Sequence, residues 1–418
     1  MNTAPKYQEI PVHKRNGGKG LPRLLSDVNA QNTSTGLISA TLMMTSPIIM
    51  LFEVAENGGL TVQQTINWMF AAYLFAGLLG IYMAIRYRIP ITGGSSLTGV
   101  AFLTTVASQF TYPEMIGGFI MSGLIIYLVG LSGIFTRIIK WVPREVISAM
   151  MAGLVASYAV RMVPSFREMP LVGGAALISF LLFLKYSKRI SPALGAMVVA
   201  ACTLGLTQKI EIADLPVHPF LFSWQPPEFT WMALLTLALP LAMLILSNDA
   251  AVGVSALQSA GYKPPIKQTL CTSGIFSMIT SLAGGQCANI AGMMSAICAS
   301  SESGPNSKRY MASVVSGIGT ILFGIFAWQI VPLIQSLPQA LITILAGFSL
   351  IGVLLSNLQT GFSGNNFPMS SLLSFLIALS NVSFFHISSV VWALLLGALV
   401  SKTIEKPNRP FVKESNNV

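Results

Sequence analysis

Charge is scarce in this chain. Asp, Glu, Lys and Arg make up 9% of its 418 residues, where a soluble domain carries about 25%. That shortage excludes a soluble globular protein of this length. Cysteine is scarce too, and Cys202, Cys271, Cys287 and Cys298 stand singly, without the paired spacing of a zinc site or the density of a disulfide framework. His13, His218 and His386 are scattered, so no metal cluster and no nucleophilic constellation is expected. No phosphate-binding Gly-x-x-x-x-Gly-Lys occurs, which removes an ATP-driven pump within one chain. We therefore expect no enzymatic reaction and no cofactor. The polar N-terminus has no compact pattern of a cleaved signal peptide, so insertion is expected to use the first span itself.

What fills the chain is apolar: 53% of residues, with a mean hydropathy of +0.70. The apolar runs recur along the whole length and predict an all-α polytopic membrane protein. A span needs roughly 20 apolar residues, fewer for a half-helix. Fourteen segments qualify: 36–52, 66–85, 95–109, 114–135, 146–163, 171–184 and 192–207, then 229–257, 268–282, 288–300, 310–331, 339–354, 370–385 and 388–401. The formal charge of +10 does not call for a nucleic-acid partner. Lys and Arg gather in alternate short loops, as the positive-inside bias requires, which places both termini in the cytoplasm. The 1–35 stretch is then a cytoplasmic N-terminal tail, 36–207 a first repeat and 208–228 a periplasmic linker. A second repeat covers 229–402, and 403–418 is a cytoplasmic C-terminal tail. Seven spans per half make the second half enter the membrane from the opposite side, an inverted 7+7 repeat.

Two polar, glycine-rich interruptions break spans three and ten: Pro90-Ile-Thr-Gly-Gly-Ser-Ser-Leu-Thr-Gly99 and Gly284-Gly-Gln-Cys-Ala-Asn-Ile-Ala-Gly292. Matched broken spans are the best sequence pointer to a transporter's substrate site. Each half-helix begun at membrane depth presents unsatisfied N–H groups and a positive dipole end, which suits an anion. The residues ahead of them, 89–91 and 281–283, are expected to run extended and pair. Asp249 lies deep in the eighth segment after Ser247 and Asn248. A carboxylate at the bilayer centre costs about 2.5–3.5 kcal/mol and faces the bundle interior. Successive residues turn by about 100°, so only one or two of these three are expected in the site. Glu53 and Glu56 are expected to end the first span at the outer surface. Asn357, Gln359, Asn365 and Asn366 are assigned to a cytoplasmic loop.

Tyr87-Arg-Ile-Pro90, the run from Ala238 to Ser247, Ser259-Ala-Gly-Tyr262 with Pro264 and Pro265, Ala296-Ile-Cys298 and the closing Lys308-Arg-Tyr310 together resemble the bacterial benzoate:proton symporter (BenE) family over roughly 30–402. That resemblance implies the fold of uracil- and xanthine-type transporters. Spans one to four and eight to eleven would form a core domain, and five to seven with twelve to fourteen a gate domain. The flat gate domains of that fold suggest a homodimer. The chain departs from the family's third-span Thr-Ala-Trp-Ser-Thr-Pro-Gly, keeping Ser96 and Gly99 and placing Ser95 where the ring stands. Gln286, Cys287, Asn289 and Asp249 also make the implied pocket more polar.

The expected activity is secondary transport, in a bacterial inner membrane, of a small organic acid, benzoate or a similar aromatic or other small carboxylate, by proton symport. Core and gate would rock to give alternating access. Gly94, Ser95, Ser96, Thr98, Ser247, Asn248, Asp249, Gln286 and Asn289 are the expected substrate-binding residues, with Asp249 carrying the coupling proton. The alternative is a transporter of a neutral nucleobase or another small polar solute. A passive channel fits less well, because the polar residues cluster at one depth.

Overall fold

The structure is a computed structural model that describes residues 26–135, 143–186, 192–207, 223–335, 337–363, 366–380 and 389–405. The three histidines, most of the linker and most of both tails lie outside the described residues. Helices occupy nearly everything else. In chain order they are α1 Ala30–Asn57, α2 Val62–Tyr87, α3 Leu97–Val106, α4 Tyr112–Ser132, α5 Arg144–Ala159, α6 Met162–Glu168, α7 Pro170–Tyr186 and α8 Pro192–Thr207. Next comes α9, Ala233–Gln258. The remainder are α10 Ile266–Leu282, α11 Gly292–Ala299, α12 Tyr310–Ile325, α13 Ala327–Gln335, α14 Gln339–Phe362, α15 Pro368–Ser380 and α16 Ser389–Thr403. Two short strands, β1 Gly93–Gly94 and β2 Asn289–Ile290, pair antiparallel.

Local chemistry sets the helix ends. Asn29 with Asn32, Thr61 with Gln64 and Thr111 with Glu114 form reciprocal capping boxes at the starts of α1, α2 and α4, each satisfying two otherwise orphaned donors. Pro170, Pro192 and Pro368 open α7, α8 and α15, where a missing N–H costs nothing. Among the described residues five helices are long and apolar enough to cross a membrane: α1, α2, α4, the continuous stretch Arg144–Glu168, and α9. Helices α12 and α13 would together make a sixth, bent by 64° between them.

Packing divides the helices into two groups. In the first, α2 lies along α12 and α4 along α10, with α1 against α12 and α9 against α4. Lipid gives helices no hydrophobic reason to associate, so close backbone approach through small residues has to do it. A Cβ on Gly317 would stand 2.8 Å from the Gly77 carbonyl, and one on Gly274 would stand 2.8 Å from the Gly123 carbonyl. In the second group α5 packs on α14 and α15, α7 on α8, and α15 on α16. The groups meet where α1 lies against α14 and the short α3 against α5. Trp68, Phe102, Phe119, Leu154 and Phe348 belong to one continuous buried cluster spanning both groups.

Three expectations need correction. The paired strands form beyond 89–91 and 281–283. Ile91 N–H bonds back to the Ile89 carbonyl at 2.7 Å around Pro90, a tight turn and not a strand. Leu282 is still helical, and the chain turns at Gly284 with φ +90 before it can extend. Asn357 and Gln359 lie on α14, which runs to Phe362, and not in a loop. Asn365 lies outside the described residues. Glu53 is buried at 8% exposure, so only Glu56 is at the surface.

Candidate functional site

Extended backbone at membrane depth survives only where protein satisfies it. Here hydroxyl groups do so. Thr92 N–H donates to Ser295 Oγ at 3.0 Å, and its carbonyl accepts from Ala291 N–H at 2.8 Å. On the other break, Ser277 Oγ both accepts from Ala288 N–H at 3.2 Å and donates to the Ala288 carbonyl at 3.0 Å. Ser273 adds a second bond to that carbonyl, Ser281 donates to the Gln286 carbonyl, and the Tyr112 hydroxyl donates to that of Gly284. The serines recur every fourth residue of α10, so they share one helix face. With β1 and β2 in register, Gly93 opposite Ile290 and Gly94 opposite Asn289, the N-termini of α3 and α11 are held side by side.

Asp249 reaches this junction from α9. The segment Ile245–Ala250 is a π-helical turn, a local widening that recurs at functional sites. Ser96 Oγ donates to Asp249 Oδ2, and Asn289 Nδ2 donates to the same oxygen at 3.2 Å. One carboxylate therefore ties both broken segments to α9. Ser96 also caps α3, its Oγ accepting from Gly99 N–H at 2.9 Å and lying 3.1 Å from Thr98 Oγ1. Helix α11 has no side-chain cap at Ala291, so its N-terminus keeps the positive end of the helix dipole uncompensated by that residue. Close approach of α9 to α11 needs glycine on both: a Cβ on Gly292 would lie 3.0 Å from the Asp249 carbonyl oxygen, and one on Gly253 2.8 Å from Ile290 Cγ2.

Of the residues expected from sequence, Ser95, Ser96, Thr98, Asp249, Gln286 and Asn289 are brought together. Ser95 Oγ donates to Gln286 Oε1 at 3.1 Å, which leaves Gln286 Nε2 buried without a partner. Asn248 Nδ2 is likewise buried and unpartnered. Ser247 is not delivered to the junction: its hydroxyl donates to the Met243 carbonyl of its own helix at 2.7 Å. Gly94 packs, with Ala291 Cβ and Met43 within 3.1 Å of where its Cβ would be. Cys287, not among the expected binding residues, has its thiol 3.8 Å from Asn289 Oδ1. Gly99 was read as part of the break, and a Cβ there would collide with the Gln286 amide. The serines of α10, Ser273, Ser277 and Ser281, are functional positions outside the expected set, signalled in the sequence only by their four-residue spacing.

Ser96, Gln286 and Asn289 are 0%, 0% and 1% exposed, while Ser95, Thr98 and Asp249 keep some accessible surface. The arrangement can bind a small anion or hydrogen-bonding solute and can hold one proton on Asp249. Among the described residues no group of three His, Cys, Asp or Glu side chains could hold a metal ion.

The family model described as benzoate membrane transport protein (BenE) matches residues 26–403. The benzoate membrane transport protein of Acinetobacter baylyi is 28% identical over 393 residues, covering 93% of this chain and 98% of that protein. The inner membrane protein YdcO of Escherichia coli is 26% identical over 368 residues, covering 87% and 93%. The transmembrane domain of a cyanobacterium bicarbonate transporter, BicA, aligns with a TM-score of 0.60 at 16% identity, over 88% of this chain and 98% of that one. The murine Slc26a9 anion transporter in its inward-facing state aligns at 0.57 and 13% identity, over 93% and 72%. These two likenesses establish the fold, a helical membrane-transporter fold.

Proposed function

The chain belongs to the BenE family of benzoate membrane transport proteins, and on that premise we propose that it is a proton-coupled secondary transporter of benzoate or a similar small carboxylate. It is a membrane transporter and not an enzyme. The observation that carries the carboxylate reading is the junction at Asp249. Beside it stand the unpartnered Gln286 Nε2 donor and the N-terminus of α11, which carries no side-chain cap, and both favour an acceptor that is negatively charged.

Coupling follows from electrostatics. A carboxylate substrate beside an ionised Asp249 would place two negative charges in one water-poor pocket, where repulsion is far stronger than in water. A proton on Asp249 removes that repulsion, so proton and substrate bind together and leave together. Ser96 and Asn289 orient the carboxyl, with Thr98 supporting Ser96.

An inverted 7+7 arrangement is supported by the packing: α2 with α12 and α4 with α10 are equivalent pairs under such a repeat, as are α7 with α8 and α15 with α16. The first packing group is then the core domain and the second the gate domain. Rocking of one against the other opens the Asp249 junction to alternate sides, with the termini in the cytoplasm of a bacterial inner membrane.

The test is uptake of labelled benzoate into proteoliposomes under an inward proton gradient. Wild type should accumulate it, and Asp249→Asn should not. Folded wild type that ignores benzoate but accumulates uracil or another nucleobase would replace the substrate while leaving the transporter.

A further inference from the structure

We propose that Glu53 and Glu56 of α1 form a latch with Arg161 and Gln339 that holds core and gate shut at one end of the bundle. The proposal rests on the core-and-gate reading above and goes beyond it by naming what closes it. Glu53 sits in an apolar helix at 8% exposure, and buried carboxylates in such helices are retained for a function. Glu56, three residues on, shares its helix face. The charges acting on Glu53 are the Arg161 guanidinium, from the α5–α6 junction of the gate, and Glu56 beside it. Glu56 in turn accepts a hydrogen bond from Gln339 Nε2, at the first residue of α14. The Glu56–Gln339 bond crosses from α1 to the gate where α1 and α14 pack, and the Arg161 charge acts on Glu53 from the gate as well.

The opposite end of α1 behaves differently. There Asp27 meets Arg88 at 3.4 Å, Lys308 at 3.5 Å and the Tyr310 hydroxyl at 2.7 Å, all of them on core elements. Among the described residues, the polar ties of Asp27 at that end hold the core to itself, while those at the Glu53 end reach across to the gate. The Glu53 end is therefore the closed one, on the membrane face opposite the N-terminus.

The experiment reads accessibility and not transport. In a Cys202→Ser/Cys271→Ser/Cys298→Ser background, the buried Cys287 of the junction is the one thiol left. Its modification by a charged, membrane-impermeant methanethiosulfonate is timed from each face of native membrane vesicles. Arg161→Glu and Gln339→Glu, both at exposed positions, set like charges against α1 and should each raise labelling from the Glu53 face about tenfold, a shift of roughly 1.4 kcal/mol. Combining Glu53→Arg with Arg161→Glu should restore the slow parental rate. Unchanged labelling in both single variants, or a rise from the other face, overturns the latch. Benzoate uptake by the parent in the same vesicles judges the substrate reading separately, so either conclusion can fall alone.

Discussion

At Asp249 the side chain and its neighbours make opposite demands. Its Oδ2 accepts from Ser96 and Asn289, which supports charge, whereas a bound carboxylate requires neutrality. Binding that needs the proton is strongest at low pH. Above the pH at which the empty site ionises, benzoate affinity should fall about tenfold per pH unit. Asp249→Asn mimics the protonated form, so its affinity should be flat across pH 6 to 8 by calorimetry while accumulation is lost. A mutant whose affinity falls with pH as steeply as wild type would remove Asp249 from the coupling. Gln286→Glu tests the donor: replacing an unpartnered N–H with an acceptor should raise KM at least tenfold, about 1.4 kcal/mol. Sequence exposed these residues because polar side chains are rare in apolar segments. It could not tell Ser247 from Asp249, since an ideal turn of 100° does not anticipate the π-helical widening at Ile245–Ala250.

Elements succeed here by satisfying backbone that lipid would leave bare. Ser277 is the strongest case, meeting both the N–H and the carbonyl of Ala288. Leaving a buried donor without a partner costs about 1–3 kcal/mol, so Ser277→Ala should lower the melting temperature in detergent by several degrees. Ser247→Ala, whose hydroxyl bonds only its own helix, should change it little. Equal effects would mean that the extended segments are held by packing alone. The two breaks were legible from glycine and polar side chains, because nothing else explains such composition within a span. Their exact strands were not legible, because the γ-turn around Pro90 and the positive φ at Gly284 shift the pairing without changing composition. The same applies to α14, where Asn357 and Gln359 look like loop residues but continue a helix.

For the whole molecule, the proposed inverted repeat would make the proposed closed end informative about the end that is open. Under that symmetry α1 corresponds to α9 and α14 to α5. The C-terminal end of α1, where Glu56 meets Gln339 at the start of α14, then maps onto the C-terminal end of α9 and the start of α5. Gln258 and Arg144 occupy those positions, and both are exposed. The matched breaks and loop charges are what suggest the repeat in the sequence. Which end is shut was not readable, because it depends on contacts between helices far apart in sequence. When the transporter reverses its access, the α9 end should close on α5 as the α1 end parts from α14. A Glu56→Cys/Gln339→Cys pair should therefore cross-link in the state described here, and a Gln258→Cys/Arg144→Cys pair only in the reversed state. Locking the first pair with an oxidant should stop uptake until a reductant is added. In a chain carrying all four cysteines, formation of either link should exclude the other. If both links form in one molecule, the two halves do not rock as two-fold-related units and alternating access by this route fails.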